Sequence, residues 1–569
     1  MSDHMPGTME AKAGAATAAP PSPNAPAGRS FVSHAKLIGF LTLISRILGM
    51  ARESIAAAYF GSAGWSAFTV AFTIPNLFRK LFGEGALSAA FIPLYAQAVR
   101  GQQTAGSGQQ GAGEFANASV NLLVAILVVL TVIGELVLLG IGLWWPMPAE
   151  KLLAVKLTAI MLPYVLLVCG TAFLGSILQV QKRFAAVAAV PILLNLSLIV
   201  AILLAARSLD LSTEIGQTRG VIWLSISVLI AGVLQVLALV PSLRAVGFRF
   251  RPVLHFWTPA IQRMLKLSIP VAIGAGVLQL SVMIDRGVAW FLAAPAGDTH
   301  FSLMGMAIRY PLIEGAAARL NWAQYLYQFP LGVFAIALAT AIFPSLSDDA
   351  LETDRERFRH VLRRGIEAAL FIGLPASIGL IIVREPAVAL LFERGSFTPE
   401  DTYWVALATG FYAAAIWAFS LQQILNRAYY ALHDTLTPLI LSIVTLIVNL
   451  AVELPLIWTP LREAGMAAGT AASFSLQAIV MICLLSRRVG GMGLRSSIAP
   501  VAKMVVASAV MLGACIAVQW IPGYPDGAAK SHRALQLLIL VTIGGLSYFA
   551  ACAAMGINVV QHILPRRRA

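Results

Sequence analysis

The chain has 569 residues, of which 59% are hydrophobic and only 12% charged, with 40 Lys and Arg against 26 Asp and Glu, a net charge of +14 and a mean hydropathy of +0.81. Soluble domains carry about 25% charged residues, so this composition excludes a string of soluble domains and gives a polytopic membrane protein. The surplus positives fall in loops between apolar segments, the positive-inside pattern, which argues against nucleic acid as a partner.

Residues 1–30 are rich in Ala, Pro, Gly and Ser, with no apolar run before Phe31. They read as a disordered tail rather than a cleavable signal peptide. A spanning helix needs about 20 apolar residues. Fourteen candidates follow, near 35–60, 66–98, 118–146, 151–180, 185–207, 219–245, 261–294, 316–346, 360–391, 402–431, 436–458, 464–486, 499–521 and 534–558. An even number puts both termini on one side. Lys182 and Arg183, Arg244 to Lys266, Arg355 to Arg364, Arg427, Arg487 to Arg495 and Arg566 to Arg568 all fall on that side. Both termini are therefore expected in the cytoplasm.

The first two spans hold charges at bilayer depth: Arg46, Arg52 and Glu53, then Arg79, Lys80 and Glu84. Each costs about 2.5–3.5 kcal/mol on insertion scales, so they must face protein or a water-filled path. Arg46, Gly49 and Glu53 share one helix face. Glu53 is expected to neutralise part of Arg46, leaving Arg52 for a ligand. Lys80 and Glu84 form an i,i+4 pair, with Arg79 pointing elsewhere. The excess of arginine suits a phosphate-bearing cargo, because the planar guanidinium donates two parallel hydrogen bonds. The alternative is an internal ion-pair network that only locks two helices together.

In the seventh span Asp285 and Arg286 are adjacent, and in the eleventh Asn449 and Glu453 lie one turn apart. Asp285, Asn449 and Glu453, joined by Thr470, make a candidate oxygen-lined sodium or proton site. Separate helix–helix hydrogen bonds explain the same residues equally well. Glu393, Arg394 and Asp401 at the outer interface, and Arg427, His433 and Asp434 at the inner one, read as turn-forming groups. Cys169, Cys483, Cys515 and Cys552 lie in apolar segments without CxxC spacing and read as packing residues. No GxxxxGK[ST], HExxH or GxSxG occurs. An enzyme reading survives only as a membrane-embedded transferase on a polyprenyl phosphate.

The chain also looks duplicated. Residues 176–191 align without gaps on 423–438, each re-entering the membrane at a proline, Pro191 or Pro438. The stretch from Pro75 to Pro93 matches that from Pro330 to Pro344, but only the first copy carries charges. A structural need of the fold would apply to both copies, so the charges look like chemistry. The organisation is thus a tail (1–30), an N-lobe of six spans (31–250), a C-lobe of six (251–495), and two further spans with a basic tail (496–569). Parallel repeats of this kind place the cargo site between lobes.

At SRILGMARE (45–53), AFTIPNLFRKLFGEGALSAAFIPLYA (71–96), QFPLGVFAIALATAIFPSLS (328–347), LFERGSFTPED (391–401) and NRAYYALHDTLTP (426–438) the chain resembles the MurJ (MviN) lipid II flippases of the multidrug/oligosaccharidyl-lipid/polysaccharide exporter superfamily. The resemblance implies an all-α membrane protein of fourteen helices in two lobes around a central cavity, working by alternating access without catalysis. It implies lipid II as cargo: the undecaprenyl-pyrophosphate-linked disaccharide-pentapeptide precursor of peptidoglycan. It also implies a tail groove on the last two helices, placement in the bacterial inner membrane, and contacts with membrane lipids and the peptidoglycan synthesis machinery. Arg46, Arg52 and Arg79 correspond to cavity arginines that bind pyrophosphate; Glu53 and Glu84 follow the family pattern. Asp285, Asn449, Glu453 and, less securely aligned, Thr470 correspond to the sodium site of some members.

Two positions depart from the family. Ser66 stands where an aspartate is common, and Tyr325 where an eighth-helix arginine is common, with Arg319 and Arg286 as substitutes to be weighed. These departures leave room for another polyprenyl-linked glycan as cargo. The rivals are a multidrug/cation antiporter of the same superfamily, which an arginine-lined cavity fits poorly, and a non-transporting scaffold of peptidoglycan synthesis.

Overall fold

A computed structural model describes residues 27–83, 86–105, 109–252, 257–295, 298–303, 306–350, 355–493, 495–527 and 529–557. Most of the predicted tail, Glu84 and Arg566 to Arg568 lie outside them. The first half consists of α1 (Ala27–Phe78), a π-helical turn (Arg79–Gly83), α2 (Ala86–Ala105), α3 (Gln109–Trp144), α4 (Ala149–Met161), α5 (Tyr164–Val180), α6 (Phe184–Ser208) and α7 (Glu214–Ala245). After α8 (Pro259–Phe291) comes a hairpin, β1 (His300–Leu303) and β2 (Met306–Arg309). Then follow α9 (Ala316–Pro330), a second π-helical turn (Leu331–Ala335), α10 (Ile336–Asp349), α11 (Glu356–Phe392), α12 (Pro399–Ala414), α13 (Ile416–Ala431), α14 (Leu436–Leu456), α15 (Glu463–Arg488), α16 (Arg495–Gln519) and α17 (Lys530–Ala554).

The predicted all-α membrane architecture is present, with two differences in detail. Helix α1 begins at Ala27, inside the range read as tail. The hairpin was not foreseen. Among the described residues, nine helices are long and apolar enough to cross a bilayer, or eleven when the bent pairs α4–α5 and α12–α13 each count as one span. The predicted spans 35–60 and 66–98 run together through α1, which turns at Gly61 (φ 62°). A side chain there would meet the Ser396 carbonyl at 2.9 Å, so both dihedral and space require glycine.

Local chemistry explains the boundaries. Thr213 and Thr258 accept the N–H of Gly216 (3.1 Å) and Ile261 (3.3 Å) at the starts of α7 and α8. Thr398 and Asp401 form a reciprocal capping box ahead of Pro399 and α12. Outward faces are apolar. On α3, Val128, Val129, Val132, Ile133, Leu136 and Val137 are all exposed, a surface that water would not tolerate and lipid does.

The duplication reappears, in a different register. The π-helical turns begin at Arg79 and Leu331, the 45° and 44° bends fall at Leu162 and Ala415, and left-handed turn residues sit at Lys182 and His433. These pairs lie 251 to 253 residues apart, whereas the gap-free alignment of 176–191 on 423–438 implies 247. The equivalent turns are thus displaced by about one helical turn, which leaves apolar faces superposed and so hides the slip. The bend before α5 coincides with Pro163. The bend before α13 has no proline; there the Trp417 N–H is taken up by Ser377 Oγ at 3.2 Å.

Candidate functional site

The first arm of α1, the π-helical turn after it and α8 bring their charges to one central cavity of about 460 Å³, lined by Arg52, Glu53, Arg79, Lys80, Asp285 and Arg286 among others. Four cations face two carboxylates, so the wall favours an anion. Arg52 is 5% exposed. Its guanidinium donates to Glu53 Oε1 (2.5 Å), Asn195 Oδ1 (3.1 Å) and the Tyr325 hydroxyl (2.8 Å). Arg79 Nε donates to Asn76 Oδ1 at 3.1 Å. Arg286 donates to Thr73 Oγ1 and Asn321 Oδ1, both at 2.7 Å.

The expected pairing of Glu53 with Arg46 is replaced by another. Glu53 takes Arg52 on one oxygen, and on the other Trp65 Nε1 (3.0 Å), Trp322 Nε1 (3.1 Å) and Asn321 Nδ2 (3.2 Å). Adjacent helical residues diverge, but a long arginine can curl back on its neighbour when both are drawn into a dry interior. Arg46 instead packs over Gly332 and donates to the Gln328 carbonyl at 3.5 Å, beside the second π-helical turn.

The two departures acquire roles. Tyr325 offers Arg52 an oxygen, so it orients a cavity cation instead of adding one. Arg286 lines the cavity and fits the part of substitute; Arg319 does not. It is 3% exposed and bound to Glu463 (2.6 Å), Asp401 (3.1 Å) and Ser62 (3.2 Å), at the end of the bundle marked by Gly61. Ser66 accepts the Ala318 N–H at 3.1 Å across the same end. The Ser396 N–H reaches the Ala58 carbonyl at 2.8 Å. Arg394 donates to Ser54 Oγ and Leu391 O, and Glu393 accepts from Thr402 at 2.6 Å. At this end these contacts tie the two halves together. At the opposite end Asp434 caps α14 through Thr437 N–H (3.0 Å) and receives Arg488.

Asp285, Asn449 and Glu453 also converge. Asn449 Nδ2 donates to Asp285 Oδ1 and Glu453 Oε2, both at 3.1 Å. Asn449 Oδ1 and Glu453 Oε1 are buried without a hydrogen-bond partner among the described residues. Thr470 lies on the cavity wall, its hydroxyl donating to the Met466 carbonyl at 3.1 Å. Sequence reasoning missed Trp65, Asn321, Trp322 and Glu463. Tryptophans in apolar spans look like packing residues, and Glu463 beside Arg462 looks like a loop charge.

A family model described as lipid II flippase MurJ matches residues 56–523. A Rhizobium tropici protein called "Probable lipid II flippase MurJ" is 31% identical over 93% of this chain and 96% of its own. Among solved structures, "Lipid II flippase MurJ, inward closed conformation" superposes with a TM-score of 0.72 at 23% identity, over 92% of this chain and 99% of that one. An inward-facing multidrug resistance MATE transporter gives 0.60 at 16% identity, over 80% and 98%.

Proposed function

Because the chain belongs to the lipid II flippase MurJ family, we infer that it carries lipid II across the cytoplasmic membrane, from inner to outer leaflet. The observation that carries this reading is the cluster of Arg52, Arg79 and Arg286 around one cavity inside the bundle. A pyrophosphate offers oxygens to more than one planar fork at once, while the polyprenyl tail stays in lipid. With the Gly61 end as the outer gate, the head group enters from the cytoplasmic end, and rocking of the two halves exposes it outside. Both termini then lie in the cytoplasm, and the peptidoglycan-building machinery receives the cargo. The cargo leaves chemically unchanged. An organic-cation antiporter shares the fold, but its cargo would meet a cationic wall.

A coupling cation fits Asp285, Asn449 and Glu453, whose two unpartnered buried oxygens suit a sodium ion or a proton; bound there, it would supply positive charge beside the arginines. The membrane potential adds about 2.3 kcal/mol per charge moved through 100 mV. Glu453→Gln is expected to abolish any dependence of transport on sodium or proton gradients. A gradient dependence equal to wild type removes Glu453 from coupling.

The direct test expresses this chain in bacteria depleted of their own flippase and measures lipid II accessible outside the cell. Restored exposure is expected. No exposure, with the protein confirmed in the membrane, overturns the reading.

A further inference from the structure

The central cavity is not the only space reached from the arginines. A recess of about 490 Å³ runs into the first half of the chain between α5, α6 and α7, sharing Arg52, Asn76, Arg79 and Tyr325 with the central cavity. That volume lies within the ~300–1,000 Å³ of small-molecule pockets. Beyond its mouth the described wall holds neither carboxylate nor cation. It is made of neutral amides and hydroxyls set among apolar side chains. Part of it is fixed: Tyr164 donates to Gln235 Oε1 at 3.2 Å, Gln235 Nε2 to the Val190 carbonyl at 3.0 Å, and Ser176 to Ser88 Oγ at 2.9 Å.

Two groups on this wall still have hydrogen bonds to give. Gln179 is half-buried, and its side-chain amide has no hydrogen-bond partner among the described residues. Asn76 spends its oxygen on Arg79, leaving its Nδ2 donors for something in the recess. Unpaired polar groups so placed are costly unless water or a ligand meets them.

We propose that this recess is a saccharide subsite, which seats a sugar of the lipid-linked head group while the arginines at its mouth hold the phosphates. The proposal rests on the flippase reading and names which part of the cargo goes where. The first sugar is bonded directly to the pyrophosphate, so phosphates at Arg52 and Arg79 put it at the mouth of the recess. A sugar is a neutral polyol, matching a neutral wall of donors and acceptors. The peptide stem ends in a carboxylate and finds no cation beyond the mouth. It fits better in the central cavity, whose wall carries Lys80 and Arg286 besides the arginines at the mouth.

The test measures equilibrium binding of two lipids to the purified full chain: lipid II, and the same polyprenyl pyrophosphate without sugars. Wild type should bind lipid II more tightly. Gln179→Leu should weaken lipid II about tenfold, the cost of sugar groups left unpaired, and leave polyprenyl pyrophosphate unchanged. Gln179→Trp, which fills the recess, should weaken lipid II further, again without touching the sugar-free lipid. Arg79→Ala should weaken both. The subsite is overturned if the Gln179 variants bind both lipids as wild type does, if they lose both equally, or if wild type does not distinguish the two. A wild-type chain that binds neither lipid overturns the flippase reading along with the subsite.

Discussion

Alanine at Arg52 is expected to abolish lipid II exposure in flippase-depleted cells while the protein accumulates normally in the membrane, and alanine at Arg79 is expected to do the same. The two halves of that statement have separate physical grounds. Arg52 is aimed into the cavity by three oxygens on three elements, Glu53, Asn195 and Tyr325. A donor so placed is already ordered before cargo arrives, so its removal forfeits binding with no compensating gain in freedom. Truncating a buried charged partner costs about 2–5 kcal/mol of binding, enough to stop transport. The fold should survive because Glu53 does not depend on Arg52 alone: Trp65, Asn321 and Trp322 still donate to its other oxygen. Arg52→Lys keeps the charge but loses the fork, and should restore only part of the activity. Full activity in both alanine variants would sink the phosphate role.

That geometry marks the boundary of what could be read from the sequence. Arg52, Arg79, Asp285 and Glu453 stand out unaided because charge in an apolar span is expensive wherever it lands. Their partners do not. Whether Glu53 turns to Arg46 or to Arg52 depends on what α9 brings opposite, and Asn321 and Trp322 lie far along the chain. Tyr325 looked like the loss of a cavity cation; only its 2.8 Å approach to Arg52 makes it an orienting group. The repeat was legible, but its register was not, since apolar helices slipped by one turn still match. The bends at Leu162 and Ala415 share a geometry and not a residue type, so no single motif announces both.

The largest expected effect on stability lies away from the cavity. Arg319 is enclosed by Glu463, which is 0% exposed, and by Asp401, itself 5% exposed. One guanidinium therefore faces two carboxylates and ties α9, α12 and α15 to Ser62 of α1. One Glu463 oxygen already lacks a partner among the described residues. Arg319→Leu would leave two buried acids close together with no cation between them. Breaking a buried pair in this way costs about 3–5 kcal/mol, a large share of a typical total of about 5–15 kcal/mol. The variant should unfold in detergent at a clearly lower temperature than wild type, and the Gly61 end should lose the tie between the two halves. Neutralising all three groups together, as Arg319→Leu with Asp401→Asn and Glu463→Gln, should recover most of the loss, because the penalty belongs to the orphaned charges rather than to the missing bond. Asp401→Asn also keeps an oxygen for the α12 cap, so the capping box need not fail with it. If the single variant melts with wild type, the triad is not what holds this end together. If the triple variant is no better than the single, the loss comes from packing around Arg319 and not from charge.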